Sequence, residues 1–110
     1  METKDQIIIA KDFTETPGAR YRKDGDFSGE QFLEEILLPR FEKAVNEGYI
    51  LAIDLDKVWG YPSSFVSGSF GKLSLEKGAS LVLKHTEFKS DENPMRLEKI
   101  LDEIKNPRKK

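Results

Sequence analysis

Tyr49-Ile50-Leu51-Ala52-Ile53-Asp54-Leu55-Asp56 runs into a short loop, Lys57-Val58-Trp59-Gly60-Tyr61-Pro62, and then into Ser63-Ser64-Phe65-Val66. An apolar run of that length, closed by two carboxylates and a loop with glycine and proline, reads as a buried strand. Beyond the loop Phe65, Val66, Phe70 and Leu73 recur at helical spacing, so Ser63 or Ser64 is expected to open and cap a helix. That helix contains Gly68 and Gly71, each costing about 1 kcal/mol relative to alanine in a helix interior, which points to a close neighbour there.

The pattern repeats on both sides. Gln6-Ile7-Ile8-Ile9-Ala10 reads as a first strand buried on both faces. Residues 11–27 are polar and carry the turn signals Pro17-Gly18 and Asp24-Gly25, with room for a short hairpin around Arg20-Tyr21-Arg22. Ser28-Gly29-Glu30-Gln31 has the form of a capping box. The helix it opens is marked by Phe32, Ile36, Leu37, Phe41, Ala44 and Val45, is kinked or restarted at Pro39, and is stopped by Gly48. Ser80-Leu81-Val82-Leu83 is read as a third strand, extended towards Phe88. Asn93-Pro94 opens a last helix with the stripe Leu97, Ile100, Leu101, Ile104. Residues 106–110 are expected to be a flexible tail. Strand alternating with helix predicts an α/β domain with a small, mostly parallel sheet, covered by helices. Sites in such sheets lie beyond the carboxyl ends of the strands, where Asp54, Asp56 and the Ser63/Ser64 helix start fall.

Composition narrows the function classes. The 110 residues suit one domain, spanning 1–110. With no cysteine, disulfides, cysteine-ligated metals and a thiol nucleophile are excluded, and one histidine, His85, excludes a multi-histidine metal site. Lys and Arg total 18 against 20 Asp and Glu, a net charge of -2 that gives no field for nucleic acid. No apolar run approaches the roughly 20 residues of a membrane span. Residues 1–6 lack an apolar signal-peptide core, so the cytoplasm is the expected setting. No phosphate-loop, dinucleotide or nucleophile-elbow motif occurs, and His85 has no motif around it. No cofactor and no metal are therefore expected, and an enzyme is not.

Each candidate residue has two readings. Ser63 and Ser64 are either helix caps or a phosphorylation site at a helix N-terminus. Asp54 and Asp56 either end the strand by turn hydrogen bonding or meet a partner; as an acid/base or magnesium pair they lack a third ligand. Arg20 and Arg22, with Tyr21 between them, are either a solvated loop or an anion contact near the Ser63/Ser64 turn; Arg20 is equally placed to pair internally with Asp54 or Asp56. Phe65 and Phe70 suit the core, and Phe65 also borders the expected partner surface. Trp59 and Tyr61 form an exposed aromatic pair of the kind found in binding hot spots.

Ile53-Asp54-Leu55-Asp56-x-Val58-x-Gly60, the Ser64-Phe65 helix start, Phe70-Gly71-x-Leu73, and upstream Pro17-Gly18-x-Arg20, Ser28-Gly29-Glu30-x-Phe32 and Leu38-Pro39 together resemble a small bacterial family of STAS-like domains of unknown function. The wider STAS superfamily includes bacterial anti-sigma factor antagonists, in which a serine at the start of this helix is phosphorylated. The resemblance implies a non-enzymatic regulatory module, a phosphoserine switch at Ser63 or Ser64, and a protein partner. That partner would be a serine kinase of the histidine-kinase-type ATPase fold or an anti-sigma factor, met by Asp54, Asp56, Trp59, Tyr61, Ser64 and Phe65. Pro62 departs from the antagonists, which commonly carry an aspartate there. The alternative is a module for a small anion or nucleotide, held by Arg20 and the Ser63/Ser64 helix end.

Overall fold

Three parallel strands in the order β1-β2-β3 make up the sheet of the computed structural model, which describes residues 1–107. β1 is Thr3–Ile8, β2 is Ile50–Asp54 and β3 is Thr86–Lys89. Parallel neighbours require long crossovers, and helices supply them. Helix α1 is a single turn, Ile9–Asp12. Helix α2 covers 29–47, α3 covers 63–77, α4 is Ala79–Lys84 and α5 is Pro94–Lys105.

The sheet is covered on one face only. Register places Ile7, Ile53 and Phe88 in one row, and Asp5, Leu51 and Thr86 in the next. Ile7, Leu51 and Ile53 are fully buried beneath Phe32, Phe41, Phe65, Phe70, Leu73, Ile100 and Ile104. The opposite face carries Gln6, Ala52 and Glu87, then Ile8, Asp54 and Lys89; all six are at least partly exposed. Burial of β1 and β2 on both faces is thus corrected. A strand with one solvated face alternates in burial, as β2 does, even though only its last residue, Asp54, is polar. A chain of aromatic rings fills the helix side, with Phe32 at 5.7 Å from Phe65 and 5.9 Å from Phe70, and Phe70 at 5.7 Å from Phe88. Burying each such ring contributes on the order of 2–3 kcal/mol.

β1 is an edge strand, and side chains occupy backbone groups of Gln6 and Ile8. The Gln6 amide donates to Asp5, the Ile8 amide to Asp12, and Arg40 donates to the Gln6 carbonyl. The Asp12 bond also turns the chain into α1, so the strand ends at Ile8 and Ala10 is helical.

Both long helices widen into a π turn. In α2, Leu33–Leu37 is π-helical and ordinary helix resumes at Leu38–Glu47. Pro39 offers no N–H to bond back, and the wide turn lies just before it, so the expected restart occurs there. In α3 the turn is Ser67–Gly71. There the Ser69 hydroxyl donates to the Phe65 carbonyl at 2.8 Å, a back-bond that competes with the helical ladder. The neighbours expected at Gly68 and Gly71 are present. A Cβ on Gly68 would lie 2.8 Å from the Arg20 carbonyl oxygen, and one on Gly71 2.8 Å from a Glu103 carboxylate oxygen.

The helix ends follow the caps with two exceptions. Ser28 accepts from the Gln31 amide at 3.0 Å, Gly48 is left-handed (φ 75°), and Asn93 accepts from the Met95 amide at 3.1 Å. Gln31 does not reach back to Ser28; the carbonyls of Ala19 and Arg20 take the next amides of α2 instead. The second exception is α3. Its N-cap is Pro62, whose extended backbone delivers the chain into the helix, so Ser63 is the first helical residue and no side chain caps this end. The expected Ser63 or Ser64 cap is not formed.

Two further expectations change. Residues 80–83 lie in α4, not in a strand, because Gly78 (φ 90°) breaks the chain and the short run Leu81-Val82-Leu83 turns Val82 into the core. The third strand follows it as Thr86–Lys89, so only its extension towards Phe88 stands. Around Arg20–Arg22 there is no hairpin but a 3₁₀ turn, Arg22–Asp24, in a loop closed by the Gly18 amide donating to the Phe27 carbonyl at 2.9 Å. In the expected tail, Asn106 closes α5 through its amide on the Asp102 carbonyl; residues 108–110 lie outside the described residues.

Candidate functional site

All three strands end at one rim, where Ile8, Asp54 and Lys89 stand in register. Asp54 turns back on its own chain, accepting from the Asp56 amide at 2.9 Å. Asp56 is 5% exposed, and its two oxygens accept from the amides of Asp91 (3.1 Å) and Glu92 (3.0 Å). Lys89 lies 3.5–3.7 Å from the carboxylates of Asp54, Asp56 and Asp91. Burial pushes the Asp56 carboxyl upward, but the two amides and the Lys89 ammonium outweigh it and hold it below the usual range. The field of Asp54, with those of Asp91 and Asp56, holds Lys89 above its ordinary value. The acidic pair therefore fastens the loop after β3 to the end of β2. No group of acidic or histidine side chains among the described residues has the arrangement of a metal site.

Phe65 is fully buried, packed 6.3 Å from the Tyr61 ring. Phe65 and Asp56 thus support the loop from below and have no surface to offer a partner. Tyr61 is half-buried, and its hydroxyl donates to the Leu55 carbonyl at 2.8 Å. Burial, with the negative charges of Asp54 and Asp56, drives its phenol far above the ordinary range, against the field of Arg96. Trp59 is the outlier at 82% exposed. Its backbone is fixed: the amide donates to Glu15, and its carbonyl accepts from Arg96 at 3.0 Å. Ser63 is exposed and Ser64 half-buried on the adjoining first turn of α3.

Arg20 and Arg22 are not brought to that turn. Arg20 donates to the Ser67 hydroxyl, one turn further along α3, and does not meet Asp54 or Asp56. Arg22 pairs with Glu34 and Glu35 on α2. A separate groove between α2 and α3 takes Arg20 and Tyr21 but not Arg22, and its charges are mixed, with Lys72 beside Glu30, Glu34 and Glu76. His85 precedes β3 and is buried, with Nδ1 2.9 Å from the Tyr49 carbonyl.

Three residues of the rim escaped sequence reading: Met95, Arg96 and Lys99 of α5. They line a groove with Trp59, Tyr61 and Val66. Met95 is 64% exposed, and the Arg96 guanidinium lies 5.6 Å over the Tyr61 ring. Nothing near them in sequence signals this role, since Arg96 joins the Trp59 carbonyl from 37 positions away; only Asn93-Pro94 marks their helix start.

An open parallel sheet with helices on one face and a loop-and-helix rim at its carboxyl end defines a small α/β domain of STAS-like kind. The chain belongs to the family of STAS-like domains of unknown function, whose family model matches residues 28–96, from the Ser28 cap to Arg96. No curated protein and no solved structure matches it. No helix among the described residues is long and apolar enough to cross a membrane.

Proposed function

We propose that this chain is a non-enzymatic regulatory module that binds a protein partner through the loop and helix of residues 56–71, and that Ser63 is its phosphorylation switch. One observation carries the reading. The first turn of α3 presents Ser63 exposed and uncapped, directly after a loop whose Trp59 is 82% exposed. A hydroxyl engaged in a cap is withheld from a kinase; this one makes no hydrogen bond. A phosphate there adds roughly -1.5 to -2 charges. The free amides of the helix start tolerate it, while a docked partner meets a new negative charge. The family resemblance supports a serine kinase of the histidine-kinase-type ATPase fold, or an anti-sigma factor, as partner. Ser64 is the lesser candidate because it is half-buried.

The test is intact-mass and fragment-mass spectrometry of protein purified from its native host, together with pull-downs using wild type, Ser63→Asp and Ser63→Ala. A single phosphate on Ser63, and a partner retained by Ser63→Ala but released by Ser63→Asp, is the expected result. Unmodified protein in every growth phase, with identical pull-downs for all three, overturns it.

A further inference from the structure

We propose that the groove between the Trp59 loop and α5 docks an acidic segment of the partner protein, with Trp59 and Met95 gripping an apolar side chain while Arg96 and Lys99 meet its carboxylate. This rests on the interaction-module reading and gives the chemistry of the partner.

Apolar exposure is the first ground. Trp59 and Met95 are the two most exposed large hydrophobic side chains among the described residues, at 82% and 64%. They come from different parts of the chain yet flank one groove of about 280 Å³, floored by Tyr61 and Val66. Trp and Arg are the residue types most enriched in hot spots, and Met adapts to varied partners. A groove this small takes one or two side chains.

Charge is the second ground, and it specifies the sign. Arg96 spends one amino group on the Trp59 carbonyl, while its Nη1 is buried without a hydrogen-bond partner. An orphaned guanidinium nitrogen is costly, and a carboxylate suits its fork. Neither Arg96 nor Lys99 forms an ion pair among the described residues. No acidic side chain lines the groove. Asp54, Asp56 and Asp91 surround Lys89, Glu92 accepts from the Lys57 amide, and Asp102 accepts from the Asn106 side chain. Glu98 does not line the groove. The groove thus carries two cations, Arg96 and Lys99, that no carboxylate among the described residues neutralises through an ion pair. The switch fits the same chemistry: Val66 of the groove floor lies three residues after Ser63, about one helical turn on, so a phosphate on Ser63 adds negative charge near an incoming carboxylate.

The probe is a random dodecapeptide library displayed on phage, selected on the full chain. Selected peptides are titrated against emission from Trp59, the single tryptophan. The inference expects Asp or Glu beside Leu, Ile, Phe or Met in the selected peptides, and a blue shift of emission on binding. It also expects affinity at least ten-fold weaker in Lys99→Glu and in Met95→Asp, and weakening between about 0.05 and 0.5 M salt as charges are screened. Peptides without acidic residues, unchanged emission, or equal binding to Lys99→Glu overturn it. Binders lost in Ser63→Asp but kept in Lys99→Glu overturn it while leaving the interaction-module reading in place. A library that yields no binder overturns it too, and the native-host pull-down then decides separately on the module.

Discussion

Asp56 and Trp59 stand three residues apart on one loop, yet the first is 5% exposed and the second 82%. Asp56 has all the marks of a chemical group: a carboxylate at a strand end beside another carboxylate. Both its oxygens are nonetheless bound to backbone amides, and its charge faces Lys89. Trp59 has its backbone pinned and its ring free. Residue type alone thus misleads at this rim. The polar residue holds the loop, and the apolar one is left available for recognition.

The contrast can be tested along the loop itself. Asp56→Ala removes two acceptors and strands two backbone amides, while Lys89 keeps Asp54 and Asp91, so a loss of about 3 kcal/mol is expected in denaturant melts. Asp56→Asn keeps one acceptor and should lose about half of that. The acid limb sharpens the point. A carboxyl held below its ordinary value of 3.8 contributes stability that is complete above that value and is lost as pH falls through the folded one. Wild type should therefore lose stability below about pH 4 more steeply than Asp56→Asn. Tyr61→Phe deletes the hydroxyl bond to Leu55 and should cost about 1 kcal/mol. Trp59→Ala should change stability by less than about 0.5 kcal/mol while abolishing partner binding. A large melting shift for Trp59→Ala, or none for Asp56→Ala, would break the comparison.

How far this was legible in sequence differs by region. Helix starts and stops were, because Ser28, Gly48 and Asn93 act through their own neighbouring backbone. The close approach at Gly68 was legible as an otherwise unexplained cost. The third strand was displaced because a four-residue apolar run satisfies helix and strand alike, and only Gly78 upstream settles it. Ser63 and Ser64 looked like caps by type, but the preceding proline already delivers the turn. The solvated face of the sheet was hidden by Ile8 and Ala52, apolar residues that suit either environment. At the site, the Trp59 loop could be read locally, whereas Arg96 and Lys99 arrive through tertiary packing.

The edge of β1 has a consequence for how copies of this chain meet. A foreign strand approaching that side would have to strip away the bonds from Asp5, Asp12 and Arg40 before gaining any of its own. Ordered stacking into fibrils from this flank is therefore disfavoured, and encounters there are steered towards side-chain contacts that can be released again.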